Sequence, residues 1–191
     1  MNTISINASP NKLGSTSLLL TKVEEELQQL GHVVTRYDLY DYNFKGCLGC
    51  GACAKPETYF CSQKDDLIPI LENLDKADAL LFGSPVFIGH ITGEGKSFID
   101  RLYTFFVDKD RAKRRKNKVF SYIITQGGEL QYFESVRTYM NDWFYDYLGF
   151  KNGGSLTVAE LGTVEDLQKR PEEIEKAKKI AREMTEAFIK K

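Results

Sequence analysis

The sequence predicts an α/β protein, a doubly wound parallel sheet with helices on both faces. Two observations carry this. Short β-branched or apolar runs alternate five times with runs whose apolar residues recur at helical spacing. The run Ala77-Asp78-Ala79-Leu80-Leu81-Phe82-Gly83 is nearly continuously apolar, as a strand covered on both faces requires. With 191 residues, of which 42% are apolar, the chain suits one domain with a substantial core and right-handed crossovers. No internal repeat, low-complexity tract or second domain stands out.

The elements follow in order. Thr3 to Ala8 is a buried first strand. Thr16 to Leu30 places Leu19, Leu20, Val23, Leu27 and Leu30 on one helical stripe, and Gly31 stops it. Residues 32–39 form a second strand, and residues 40–64 a long irregular loop of the kind that usually serves function. Asp65-Asp66 can cap a helix to about Asp75, with Ile68, Leu71 and Leu74 inward. The third strand runs into Ser84-Pro85-Val86-Phe87. A helix spans roughly Gly93 to Val107, and the basic run 109–118 is expected as a solvated loop. Val119 to Thr125 is the fourth strand, Tyr132 to Leu148 an aromatic helix, and residues 150–159 hold the fifth strand. Pro171 opens a last helix whose Ile174, Ala177, Ile180, Ala181, Met184 and Phe188 share a face.

A ligand is expected beyond the carboxyl ends of the strands, where the winding reverses. Three turns rich in small and polar residues would meet there: residues 9–17, 84–90 and 125–130. The first reads Ser9-Pro10-Asn11-Lys12-Leu13-Gly14-Ser15-Thr16-Ser17 between a strand and a helix. Such a turn leaves backbone N–H groups and hydroxyls free at a helix N-terminus, which suits a phosphate; an ordinary helix entry with Ser/Thr caps is the plainer alternative.

Net charge is −1, which gives no support to general nucleic-acid or membrane attraction. No apolar run reaches spanning length, and the first strand follows Met1 too closely for a signal peptide, so a cytoplasmic location is expected. Only two histidines, His32 and His90, are present, and no Ser–His–Asp or Cys–His set is evident. His32 reads as a surface residue, and His90 borders the second turn. All four cysteines fall in the long loop, as Cys47-x-x-Cys50-x-x-Cys53, seven further residues, and Cys61. Thiolates at intervals of three, separated by glycines, can wrap one face of a [4Fe–4S] cluster, with Cys61 closing it. The same four ligands suit tetrahedral zinc, and free or disulfide-forming thiols are a third reading.

Ser9-Pro10-x-x-x-Gly14-Ser15-Thr16, Ser84-Pro85-Val86-Phe87 and Lys96-Ser97-Phe98-Ile99-Asp100-Arg101 resemble the NAD(P)H-dependent FMN reductases of the flavodoxin-like fold, over almost the whole chain. The cysteine block resembles that of the iron–sulfur flavoproteins within this group. The resemblance implies a five-stranded sheet in the order 2-1-3-4-5, non-covalent FMN and a homodimer or homotetramer. Transferred position by position, Ser9, Asn11, Ser15, Thr16 and Ser17 would hold the FMN phosphate. Pro85, Val86, Phe87 and Ile88 would lie along the ring and ribityl chain, and Thr125, Gln126, Gly127 and Gly128 would border the ring's other edge. Asn11-Lys12 stands where a basic pair is common, and Phe87 where Tyr is common. Three readings follow. The first is a redox protein in which FMN exchanges electrons with a [4Fe–4S] cluster on Cys47, Cys50, Cys53 and Cys61, serving a small-molecule or ferredoxin-type partner. The second is a cluster-free reductase moving hydride from NAD(P)H to a quinone, nitro compound, azo dye or flavin. The third is a non-catalytic module with structural zinc.

Overall fold

Residues 1–55 and 60–190 are described in a computed structural model of the chain, with the backbone alone for residues 111, 112 and 114. Five parallel strands make the sheet: β1 (Asn2–Asn7), β2 (Val33–Asp38), β3 (Ala79–Phe87), β5 (Val119–Thr125) and β6 (Lys151–Val158). Their order is β2-β1-β3-β5-β6, which is the expected 2-1-3-4-5 with one addition. A two-residue strand β4 (His90–Ile91) folds back antiparallel on the end of β3. This hairpin is turned by Ile88 and Gly89, both at positive φ.

Side chains alternate across the strands, so each strand feeds two cores. Ile4, Ile6, Leu80, Phe82, Phe120, Tyr122 and Ile124 pack on one face. That face is covered by α2 (Leu67–Lys76), α3 (Gly93–Arg101), α4 (Tyr103–Val107) and α6 (Glu134–Asn141), with α5 (Lys109–Arg115) at its edge. Ala79, Leu81, Val119, Ile123, Leu156 and Val158 pack on the other, under α1 (Ser15–Gln29), α7 (Val164–Gln168) and α8 (Pro171–Ile189). Ala177, Ile180, Ala181 and Met184 of α8 are buried, with Ile174 and Phe188 partly so.

Four expectations are corrected. The helix expected over 93–107 breaks at Leu102 into α3 and α4. The basic run is solvent-facing at Lys109, Asp110, Lys113, Lys116 and Asn117 as expected, but it forms α5 rather than a loop. The buried Arg115 donates to the Phe105 carbonyl at 2.6 Å, and the buried Lys118 donates to the carbonyls of Asp75 and Ala77. The aromatic helix begins at Glu134 and turns π-helical over Asp142–Tyr147, which lets Phe144 stack on Phe120 with ring centroids 3.7 Å apart. His32 is half-buried and joins the N-terminal amine to Thr185 of α8.

Among the described residues no helix is long and apolar enough to cross a membrane.

Candidate functional site

The first turn follows β1 because Asn7 ends that strand by bonding in two directions. Its Oδ1 accepts from Ser9 N–H at 3.1 Å, and its Nδ2 donates to Asp38 at 2.6 Å. Asn11 then shapes the loop, accepting from Leu13 N–H at its side chain and from Gly14 N–H at its carbonyl. Gly14 is extended and supplies no side-chain cap, so the first-turn amides of the fifteen-residue helix α1 lack the partner that a Ser or Asp cap provides. This open helix end faces a recess of about 350 Å³ at the carboxyl edge of the sheet. Ser9, Asn11, Ser15, Thr16, Pro85, Val86, Phe87, Thr125, Gln126 and Gly127 all line it. Three segments far apart in sequence therefore meet as expected.

Some expected residues play other parts. Ser17 is buried and accepts a 2.6 Å bond from Arg36 Nη2, so it braces the turn from behind. The Thr16 hydroxyl is shared with Thr125 Oγ1 at 2.7 Å, both side chains being buried. Lys12 pairs with Asp41. Ile88 is fully exposed at the hairpin tip and does not line the recess. Gly128 does not line it either; its carbonyl accepts from Glu160 N–H, and Phe133 and Tyr132 lie against it. Pro10, Gly14, Leu161 and Gly162 complete the lining. The last two were legible in principle, since the loop after the fifth parallel strand must emerge at the same edge.

Flavin fits these groups. The open α1 terminus suits a phosphate dianion through its backbone amides, the hydroxyls of Ser9, Ser15, Thr16 and Ser17 being engaged with Asn11, Thr163, Thr125 and Arg36. Gln126 lines the recess, its Nε2 donating to the carbonyls of Gly128 and Glu129, while its Oε1 is buried without a partner among the described residues. His90 lies against Tyr139 at 4.9 Å and stays neutral near pH 7, because burial and the charge of Lys96 lower its pKa.

A second recess, also about 350 Å³, is lined by all four cysteines with Gln63, Asp100 and Tyr103. Gly49 and Gly51 take positive φ between the cysteines, as the tight winding requires. Backbone amides approach sulfur, with Gly49 N–H to Cys47 Sγ at 3.4 Å. The Ser62 hydroxyl, 3.3 Å from Cys50 Sγ, and the Ala52 amide lower the pKa of that thiol. Burial, then the neighbouring Cys61 sulfur, pushes that of Cys53 up. The donor set and amides suit a cluster or zinc. Even so, among the described residues no three His, Cys, Asp or Glu side chains are gathered closely enough to hold a metal ion.

A third recess of about 280 Å³ adjoins it, where Tyr103 and Phe106 face Tyr139, Trp143 and Tyr147. The exposed aromatics of the π-helical segment are therefore gathered here rather than around the first recess.

A family profile described as NADPH-dependent FMN reductase matches residues 1–160. A protein named iron-sulfur flavoprotein from Archaeoglobus fulgidus is 40% identical over 127 residues, covering 66% of this chain and 60% of that protein, so the match spans under two thirds of the relative. A second of that name from the same organism is 29% identical over 196 residues, covering 100% of this chain and 82% of the other. Among solved structures, an NAD(P)H:quinone oxidoreductase from Methanothermobacter marburgensis superimposes with a TM-score of 0.76 at 19% identity, covering 95% of this chain and 94% of the other, which supports the flavodoxin-like fold. With the profile spanning five-sixths of the sequence, this chain belongs to the NADPH-dependent FMN reductase family.

Proposed function

We propose that this protein is an FMN-dependent oxidoreductase of the iron–sulfur flavoprotein type, with FMN in the first recess and a [4Fe–4S] cluster on Cys47, Cys50, Cys53 and Cys61. The observation that carries the flavin assignment is the uncapped α1 terminus facing a recess built from all three expected turns. Ser9, Asn11, Ser15 and Thr16 would surround the phosphate, with Ser17 bracing the turn behind them. Pro85, Val86 and Phe87 would lie along one side of the ring, and Thr125, Gln126 and Gly127 along its other edge. When bound, FMN supplies the exchange of electrons singly or in pairs, and a cluster supplies one-electron transfer. The chain's own contribution is position and electrostatics. The hydroxyl pair Thr16–Thr125 fixes α1 against β5 across the site, and the Gln126 side chain braces the third turn by donating to the carbonyls of Gly128 and Glu129. The family description supports NAD(P)H as electron donor. The names of the relatives support the cluster. The exposed Tyr103, Phe106, Trp143 and Tyr147 suit a surface between copies in a homodimer or homotetramer.

The ungathered thiols favour one second reading, a cluster-free FMN reductase. Iron and sulfide analysis after anaerobic reconstitution separates the two. The cluster reading expects about four irons and four sulfides per chain beside one FMN. Flavin with no bound iron would overturn it in favour of the cluster-free reductase, and zinc with no flavin would overturn both.

A further inference from the structure

Arg101 ends α3, and its side chain is 1% exposed. Its guanidinium binds both stems of the cysteine loop at once. Nη1 donates to the Lys45 carbonyl at 2.9 Å, two residues before Cys47. Nη1 and Nη2 donate to the two carboxylate oxygens of Asp65 at 2.8 and 3.1 Å, four residues after Cys61. Asp65 in turn accepts from the amides of Lys45 and Leu67, joining the stems to each other and to the start of α2. Burial opposes the Arg101 charge, but Asp65 and the nearby Cys61 and Cys47 outweigh it, so the group stays firmly protonated. Its Nε–H is buried with no partner among the described residues.

The opposite end of the same helix is fastened to the first recess. Thr92 caps α3, accepting from Gly95 N–H at 3.1 Å, while its hydroxyl donates to the Ala8 carbonyl at 2.7 Å. Its own N–H donates to Ser84 Oγ at 3.1 Å. Ala8 and Ser84 are the roots of the first and second turns. The nine residues of α3, about 14 Å of helix at 1.5 Å per residue, thus run from one recess to the other.

We propose that Arg101 is the positioning residue of the cysteine site: it clamps the two stems of the loop and sets a fixed positive charge beside the thiols, on a helix that ties this site to the flavin turns. The proposal rests on the cluster reading above for its electrostatic half alone. A buried ion pair is weak evidence for stability on its own. Here the pair bridges two loop stems and a helix end, which is a geometric task that an apolar pair cannot perform. Were a cluster held on these thiols, a neutral side chain in place of Arg101 would leave the Asp65 carboxylate uncompensated beside it, which would disfavour the reduced, more negative state.

Arg101→Gln and Arg101→Lys test this in the full chain. In iron-free protein, amide hydrogen exchange in residues 45–55 and 60–65 should rise tenfold or more in both variants, with β1, β3 and β5 unchanged. In reconstituted protein, Arg101→Gln should shift the one-electron equilibrium about tenfold toward the oxidised cluster, about 59 mV. Arg101→Lys, which keeps the charge but not the fork, should stay near the wild-type midpoint. Wild-type exchange rates in the variants would overturn the clamp, and equal midpoints in Gln and Lys variants would overturn the charge role. If the wild type takes up no iron, the cluster reading fails by itself and the exchange arm still decides the clamp. If Arg101→Gln does not fold, Arg101→Lys carries that arm.

Discussion

Ser15 is the first helical residue of α1, following an extended Gly14. Proline is tolerated at such a position, because the first amide has no partner inside the helix. Ser15→Pro therefore removes one N–H from the open helix end while leaving α1 intact. A bond to a charged acceptor is worth about 1.5–3 kcal/mol, so FMN affinity should fall about ten- to a hundredfold. Riboflavin, which lacks the phosphate, should bind as before, and Ser15→Ala should lose less, since it keeps the amide. Fluorescence titration of both flavins measures this, and equal losses for both ligands would rule out the phosphate at α1. The residue scale is also where sequence reading stops short. Hydroxyl-bearing residues around an anion site look interchangeable in a sequence. Only packing reveals that Ser17 is turned to Arg36 and Thr16 to Thr125, while Ser15 remains at the rim with its hydroxyl on the Thr163 carbonyl. Partners 19 and 109 residues away leave no local signal.

At the scale of elements, the strands were the most legible part, because a strand covered on both faces needs little besides apolar, β-branched residues. β5 occupies the residues expected of it, and β3 runs four residues further than its apolar core, through Ser84-Pro85 to Phe87. Helix boundaries on the α2–α6 face were less legible. The break at Leu102 and the π-helical turn at Asp142–Tyr147 answer to tertiary packing of Phe105, Phe144 and Phe120, which periodicity does not record. In the basic run charge indicated solvent correctly at Lys109, Asp110, Lys113, Lys116 and Asn117, but it gave no sign of the helix or of Arg115 and Lys118, which bury their stems to satisfy backbone carbonyls. One close approach between elements governs the first recess. A Cβ at Gly83 of β3 would lie 2.6 Å from Leu20 Cδ1 of α1, so helix and sheet meet at the glycine surface. Gly83→Ala should cost about 1–3 kcal/mol by overpacking. For a chain of this size that lowers Tm by several degrees. The same displacement moves the α1 terminus away from Pro85 and Val86, so FMN should weaken along with stability. A melting curve and a flavin titration on the same sample check both. An unchanged Tm would show that α1 does not rest on Gly83.

On the scale of the whole molecule, the two recesses are built from different material. The first stands on the carboxyl ends of β1, β3 and β5, deep in the sheet, and shares its foundations with both cores. The second stands on a loop that, among the described residues, is attached to the body through Arg101, Asp65 and the buried Phe60, whose carbonyl accepts from Thr104. Cys47 and Cys50 are exposed, and Cys53 and Cys61 are half-buried, so none of the thiols belongs to the core. Local openings of such a loop cost far less than global unfolding. This predicts that the sites fail independently. Cys50→Ser removes one of the four proposed thiolate ligands and, on the cluster reading, should leave reconstituted protein with well under half the wild-type iron. FMN stoichiometry should stay at wild-type level, because no cysteine lines the first recess. Reduction of the flavin by NAD(P)H should persist, while transfer to a one-electron acceptor slows. Iron analysis, flavin absorbance and the two assays on one preparation follow all four quantities. Loss of FMN together with iron would mean that the loop and the sheet edge form a single cooperative site, with α3 transmitting the damage from Arg101 back to Ala8 and Ser84.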